Sequence, residues 1–302
     1  MNGIPLAPMD LARALGVTFL WGLNFSLIKV CLTWFDPFTL SGIRFLLCAL
    51  PLIFFVPRPD VSPIWVVAYG LCFGIGTWGL VNWGVQSGSA PGVSSIVLQT
   101  SALFSAVFGI VLFAERPTPG KMIGLLVAAI GLGILSRLQD GSVTAEGVAL
   151  VIAGAFFMGV ANSLVKAAAP RRHLSFLAWS SLISPLPLFA LGYLQFGGVP
   201  LVPVAEAKTL AIVCAYLLIS SYLATLYSYY VWNRLIHRYE LSQVAPLSLV
   251  VPVFGITISH FVFAEPFGGD KLLACVLVML GLLIAGLLDR YLDRYAACQG
   301  QS

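Results

Sequence analysis

The segment Phe113-Ala114-Glu115, followed by Lys121 and Gly131, returns 150 residues later as Phe263-Ala264-Glu265, followed by Lys271 and Gly281. A second echo lies earlier in each half, where Gly22 and Ser26-Leu27-Ile28-Lys29 match Gly159 and Ser163-Leu164-Val165-Lys166 at an offset of 137. Each match is weak alone. Their shared order marks an internal duplication, and self-similarity decides architecture before any local motif does. The halves run over residues 1–137 and 147–291, with a linker at 138–146 and a tail at 292–302.

Composition identifies the solvent. Hydrophobic residues make up 59% of the chain and charged residues 9%, with a mean hydropathy of +0.97. A soluble domain carries a near-even apolar share and about 25% charge. A membrane-spanning helix needs about 20 apolar residues to cross about 30 Å at 1.5 Å per residue. Ten such runs are expected. In the first half they are Leu11 to Leu32, Phe38 to Val56, Ile64 to Gln86, Gly92 to Ala114 and Met122 to Leu135. In the second they are Gly147 to Val165, Leu174 to Tyr193, Leu210 to Trp232, Leu241 to Ala264 and Leu272 to Leu288. The fifth of each half is short. The runs are continuous rather than alternating, which predicts helices and an all-α fold instead of a barrel. Proline and glycine punctuate the breaks at Asp36-Pro37, Pro57-Arg58-Pro59, Pro91-Gly92 and Phe267-Gly268-Gly269, so loops are short. The first run is too long for a cleaved leader and is expected to act as the targeting signal itself.

Lys and Arg concentrate on the cytoplasmic side during insertion. With ten spans both termini share a side. That side collects eleven basic residues, among them Arg13, Arg58, Arg171, Arg172, Arg234 and Arg238, against five on the other: Lys29, Arg44, Arg137, Lys208 and Lys271. Both termini are expected in the cytoplasm. Five spans per half is odd, so the second half enters with opposite polarity and the repeats are inverted. Inverted repeats recur in secondary transporters, with the site near the midplane at the repeat interface.

Several function classes drop out. The net charge of +4 comes from basic residues scattered among loops, which reads as insertion bias and not as a nucleic-acid surface. Six cysteines show no CxxC or metal-ligand spacing, and no metal or cofactor is implied. Three dispersed histidines, with no HExxH or GxSxG, give no basis for an enzyme. All twelve acidic residues sit at span ends or loops, which argues against permanently cationic cargo and against an intramembrane proton site. His260 is the one deep titratable group: a relay, or a histidine bonded to a neighbouring carbonyl or to Glu265.

The spans are richer in polar and aromatic groups than lipid contact explains. An unpartnered amide in hydrocarbon costs several kcal/mol, so Asn24, Gln99 and Asn162 either bridge helices or line a wet cavity. Asn24 and Asn162 come from equivalent helices, one residue out of register. Arg44, inside the second span, either meets a substrate carboxylate or snorkels to the outer surface. Lys29 and Lys166 end equivalent helices, where a cation suits the helix dipole. Ser184-Pro185-Leu186-Pro187, Ala245-Pro246 and Val251-Pro252 interrupt spans and permit kinks. Ala129/Gly133 and Gly281/Ala285 allow close packing of the short fifth and tenth helices, against each other or a second copy.

Trp21-Gly22-Leu23-Asn24-Phe25, Ile43-Arg44-Phe45 leading to Ala49-Leu50-Pro51, Gly92-Val93-Ser94-Ser95 through Gln99, Phe113-Ala114-Glu115-Arg116 and Val244-Ala245-Pro246-Leu247 together resemble the EamA-type drug/metabolite transporters, over almost the whole chain. Within that superfamily the likeness is greatest to bacterial inner-membrane exporters of amino acids and related metabolites. The resemblance implies a ten-helix basket of inverted five-helix repeats around a central cavity. It implies Trp21, Asn24 and Gln99 as cavity residues, and Glu115 and Glu265 as structural residues at helix ends.

The expected protein is an exporter of small neutral or zwitterionic metabolites, amino acids first, working without cofactor in the bilayer as a monomer or homodimer. Trp21, Trp78, Trp179 and Tyr227 are expected to contact the apolar part of the cargo and offer a ring face to its ammonium. Asn24, Asn162 and Gln99 are expected to bond its polar groups, with Arg44 available to a carboxylate. A nucleotide-sugar or sugar-phosphate exchanger would want clustered Lys and Arg in the cavity, where only Arg44 offers itself. A membrane scaffold, channel or intramembrane enzyme completes the alternatives.

Overall fold

The computed structural model describes residues 7–114, 118–135, 137, 143–197, 207–239, 244–265 and 268–299. Glu115, Arg116 and residues 138–142 and 300–302 of the linker and tail lie outside these, as do the side chains of Lys121 and of the tail. About 85% of the described residues are helical and they form no strand. In chain order the helices are α1 Pro8–Cys31, α2 Pro37–Phe54, α3 Pro63–Gln86, α4 Pro91–Phe113, α5 Pro119–Leu135, α6 Ala145–Ala168 and α7 His173–Phe196. They continue with α8, running from Ala207–Leu218 through Ile219–Tyr227 to Ser228–Arg238. Next come α9, a tight turn Ala245–Val250 followed by Val251–Phe263, and α10 Gly269–Gln299.

Local sequence sets the ends. Proline opens α1 to α5, where its missing N–H costs nothing and its fixed φ suits the first turn. Asp36 accepts from the backbone N–H of Phe38 and Thr39 at the start of α2, and Thr144 accepts from Gly147 at the start of α6. The duplicated Phe-Ala-Glu motif acquires a structural meaning here: Ala114 (φ 52°) and Ala264 (φ 51°) both turn left-handed and stop α4 and α9.

Among the described residues, seven helical stretches are long and apolar enough to cross a membrane, namely α1, α2, α3, α4, α6, α7 and Thr209–Trp232 of α8; Met122–Leu135 and Leu247–Phe263 are shorter apolar helices. The polarity is inside out. Phe54, Phe55, Leu186, Leu194 and Phe261 are each more than three-quarters exposed, whereas Asn24, Asn82, Arg44, Thr77 and Thr225 are buried. That arrangement is stable in hydrocarbon and not in water. The chain is a multi-pass membrane protein.

Two contacts recur between the halves. A β-carbon at Gly22 of α1 would lie 2.7 Å from Phe254 Cβ of α9, and one at Gly159 of α6 would lie 2.7 Å from Phe104 Cβ of α4. At the α5–α10 seam, Gly131 abuts the Ala274 carbonyl and Gly281 the Gly124 carbonyl, with room for no side chain. The seam is thus built on Gly131 and Gly281. A β-carbon at Gly133, expected there, would meet no other helix within 4 Å, because two residues of α-helix turn that position to another face.

The proline segments do interrupt the helices: α7 breaks at Ser184 ahead of Pro185, and α9 starts as a tight turn. Two further interruptions carry no sequence mark. Leu71–Gly79 of α3 and Ile219–Tyr227 of α8 are wide π turns, in which Thr77 and Thr225 donate to the carbonyls five residues back, Cys72 and Ser220.

A left-handed alanine is strained by about 1 kcal/mol relative to glycine. Ala264→Gly is expected to raise the thermal-unfolding midpoint in detergent, and a lowered midpoint would contradict the helix-stop reading of the motif.

Candidate substrate cavity

A cavity of about 140 Å³ lies among α1, α3, α4, α6, α8 and α9, lined by Trp21, Asn24, Phe25, Trp78, Leu98, Gln99, Ser101, Met158, Tyr229 and Val251. Four of the residues expected from sequence meet here: Trp21, Asn24, Trp78 and Gln99. On α1 the spacing of Trp21, Asn24 and Phe25 puts all three on one helical face. Trp78 rides on the π turn of α3, with its ring 6.2 Å from that of Phe25. Gln99 and Ser101 flank Thr100, where α4 is interrupted between Pro91–Gln99 and Ser101–Phe113.

Hydrogen bonds fix which end of each amide faces inward. Gln99 Nε2 donates to the Ser248 carbonyl of α9 at 2.9 Å. A carbonyl only accepts, so the side-chain oxygen of Gln99 is the atom left for the cavity. Asn24 accepts at Oδ1 from Ser220 Oγ at 2.6 Å, which leaves its NH₂ for the cavity. One amide presents an acceptor and the other a donor. Trp21 Nε1 donates to the Ala224 carbonyl at 3.0 Å, and its ring lies 5.5 Å from Tyr229 and 5.1 Å from Trp232.

Arg44 sits directly behind the wall. Its Cζ lies 4.1 Å from the Trp78 ring centre, and Nε and Nη2 both donate to Thr225 Oγ1, at 3.2 and 2.7 Å. At 2% exposure it reaches no surface, so the snorkelling alternative does not hold. It lies mid-span in Pro37–Phe54, and the Thr225 hydroxyl on the π turn of α8 captures it.

Toward the end of the bundle that carries the start of α1, Tyr229 also lines a larger cavity of about 380 Å³ with Arg171, Arg172, His173 and Arg234. Asp10 at that end is held by Arg13 at 2.8 Å, Arg238 at 3.0 Å and Tyr239 Oη at 2.7 Å. At the opposite end Lys29 pairs with Glu265 at 3.1 Å and lies 4.4 Å over the Phe263 ring, whereas Lys166, at the end of α6 that leads to Arg171, lies 4.4 Å over the Phe113 ring. These duplicated lysines hold helix ends.

Residues 11–137 and 145–287 each match the EamA-like transporter family. The chain belongs to that family. It is 35% identical over 277 residues to a Salmonella typhimurium protein named "Probable amino-acid metabolite efflux pump", covering 90% of this chain and 92% of the relative. An Escherichia coli protein of the same name is 32% identical over 281 residues, covering 91% and 94%. An uncharacterized transporter of Archaeoglobus fulgidus is 24% identical over 287 residues, covering 90% and 96%. A solved crystal structure shares the fold with a TM-score of 0.56 at 19% identity, covering 93% of this chain and 98% of its own.

Three residues of this EamA-family transporter that were expected at the cavity lie outside it. Asn162 is exposed and donates to Ser105 Oγ at 3.1 Å. Its offset of one residue from the Asn24 register rotates it by about 100° around the helix, which carries the amide off the cavity face. Trp179 packs half-buried beside Arg58, whose Cζ is 5.8 Å from its ring, on the flank of α7. Tyr227 is 47% exposed and lines a different pocket with Asp10 and Arg13. Tyr229 takes its place at the cavity, because the π turn widens α8 just before it and shifts every later side chain off α-helical phase. His260 is exposed, with Nδ1 2.9 Å from the Glu265 carbonyl, away from the cavity.

Trp21→Phe keeps the aromatic wall but strands the Ala224 carbonyl inside the membrane. The expected cost is about 1–2 kcal/mol, read as a lowered thermal midpoint in detergent; an unchanged midpoint would show that another donor reaches Ala224.

Proposed function

We propose that this transporter exports small neutral or zwitterionic metabolites, amino acids above all, across the bacterial inner membrane. The observation that carries the reading is one aromatic cavity in which the free ends of two fixed amides have opposite polarity. The Gln99 oxygen suits an ammonium, the Asn24 NH₂ suits a carboxylate, and Trp21, Trp78 and Tyr229 offer ring faces to an apolar side chain or a cation. The names of the Salmonella and Escherichia relatives point the same way.

Movement is by alternating access between two inverted five-helix repeats, each fifth helix included, with both termini cytoplasmic. Support comes from the paired contacts Gly22–Phe254 and Gly159–Phe104, the paired lysine–phenylalanine contacts, the two π turns and the two family matches. An odd number of spans per repeat inverts the second. The basic cavity beside Tyr229 then opens on the cytoplasmic side, where cargo for export is collected.

Purified protein in liposomes is expected to move labelled amino acids in a saturable, protein-dependent way. Asn24→Leu and Gln99→Leu are each expected to raise KM roughly tenfold, since each strands a charged cargo group without its partner. A wide panel without flux, alongside a working control exporter, would falsify the proposal.

A further inference from the structure

The guanidinium of Arg44 is the most poorly satisfied charge among the described buried groups. It is 2% exposed, one neutral hydroxyl serves two of its nitrogens, and Nη1 has no acceptor. Trp78 Nε1 and Ser221 Oγ beside it are likewise buried without acceptors. Ser221 lies one turn from Thr225 on α8 and its carbonyl accepts from Cys48 Sγ, one turn from Arg44 on α2. The neighbourhood therefore holds three unmatched donors. The described carboxylates lie elsewhere: Asp10 is held at one end, Glu265 pairs with Lys29 at the other, Asp36 caps α2, Asp60 accepts from the Arg171 and Arg172 backbones, Glu146 accepts from Ser87, and Asp270 is exposed at the start of α10. A buried cation with donors around it and no anion is costly to keep unless an anion arrives.

We propose that Arg44 is the anchor for a carboxylate on the cargo, so that the central site takes molecules bearing a carboxylate and no net positive charge. The inference rests on the cavity being the cargo site and adds the chemical class it admits. Trp78 is the partition: it lines the cavity, its ring covers the guanidinium, and it stands on a π turn whose backbone ladder is already loosened. Rotation of the indole lets the carboxylate reach Nη1, while the indole N–H and the Asn24 NH₂ supply further donors. The ammonium of a zwitterion then meets the Gln99 oxygen. A molecule with an ammonium and no carboxylate meets Arg44 as a like charge in a medium that screens poorly, and is refused. The arginines facing Tyr229 at the mouth, Arg171, Arg172 and Arg234, bias the approach in the same sense.

The test uses wild-type proteoliposomes and an amino acid they transport, set against its decarboxylated amine, its methyl ester and its N-acetyl derivative as competitors. The amine and the ester are expected to compete about 100-fold more weakly than the parent, and the N-acetyl acid to within about tenfold of it, since loss of the bonded group leaves buried donors unpaired. Arg44→Gln is expected to abolish the preference for the acid over its primary amide. Arg44→Lys is expected to keep the preference with weaker affinity, because a point charge replaces the fork. Amine and parent moving with equal kcat/KM in the wild type overturns the inference while leaving the amino-acid cavity standing, as does an Arg44→Gln protein that keeps the acid-to-amide ratio. Absence of flux for every compound sinks the cavity reading and this inference together. The wild-type comparison decides the matter even if Arg44→Gln does not fold.

Discussion

Inside a bilayer, a backbone carbonyl that loses its helical partner has no water to turn to, and the construction of this cavity follows from that constraint. The π turn of α8 releases several carbonyls, and side chains capture them: Trp21 at Ala224, Cys48 at Ser221, Thr225 at Ser220 and Ser228 at Leu223. The π turn of α3 is treated alike, with Ser41 at Trp78, Ser184 at Gly70 and Thr77 at Cys72. Four of these captures, by Trp21, Cys48, Ser41 and Ser184, pin a helix to its neighbour; those by Thr77, Thr225 and Ser228 close within their own helix. Trp21 stands where it does because a main-chain oxygen needs its indole N–H, and Arg44 is drawn to a threonine that the same turn has swung toward it. The wide turns are sockets for the residues of the site.

The seams between the halves place a second limit on how the molecule moves. At Gly22 against α9 and Gly159 against α4 the backbones approach too closely for any side chain, and Lys29 with Glu265 adds a tie at the helix end. Separating such seams loses close packing along their length, with no hydrophobic effect between helices to compensate in lipid. The interrupted places are different. Thr100, Ser184 and the two π turns already lack a regular ladder, and three of the four touch residues lining the cavity or their backbone partners. Under the alternating access we propose, bending falls there, beside the candidate cavity.

Much of this was legible in the sequence. Runs of unbroken apolarity gave the helical class and the approximate spans, because periodicity and solvent are composition-level facts. Trp21, Asn24, Trp78 and Gln99 could be picked as polar or aromatic groups too expensive to leave facing lipid. What failed was phase. A reading at 100° per residue cannot anticipate a π turn, so Tyr227 was favoured where the wider turn presents Tyr229. Asn162 looked equivalent to Asn24, yet a slip of one position moves it off the face. Arg44 was ambiguous for another reason: its partner, Thr225, is 181 residues away, and nothing local distinguishes a buried guanidinium from a snorkelling one.

The duplication supplies the frame and its divergence supplies the chemistry. The left-handed alanine of the Phe-Ala motif, the lysine–phenylalanine contact, the close approach at Gly22 and Gly159 and the threonine-closed π turn each have a counterpart in the other half. The site residues do not. After the paired threonines the chain continues with Trp78 in one half and Leu226 in the other, and the hydroxyl of Thr225 receives a guanidinium while that of Thr77 is bonded only to its own helix. A perfectly two-fold cavity would present each cargo group with two equal environments. The zwitterion we propose as cargo has two unlike ends, and holding it in one orientation demands that the symmetry be broken at the cavity and kept where the helices meet.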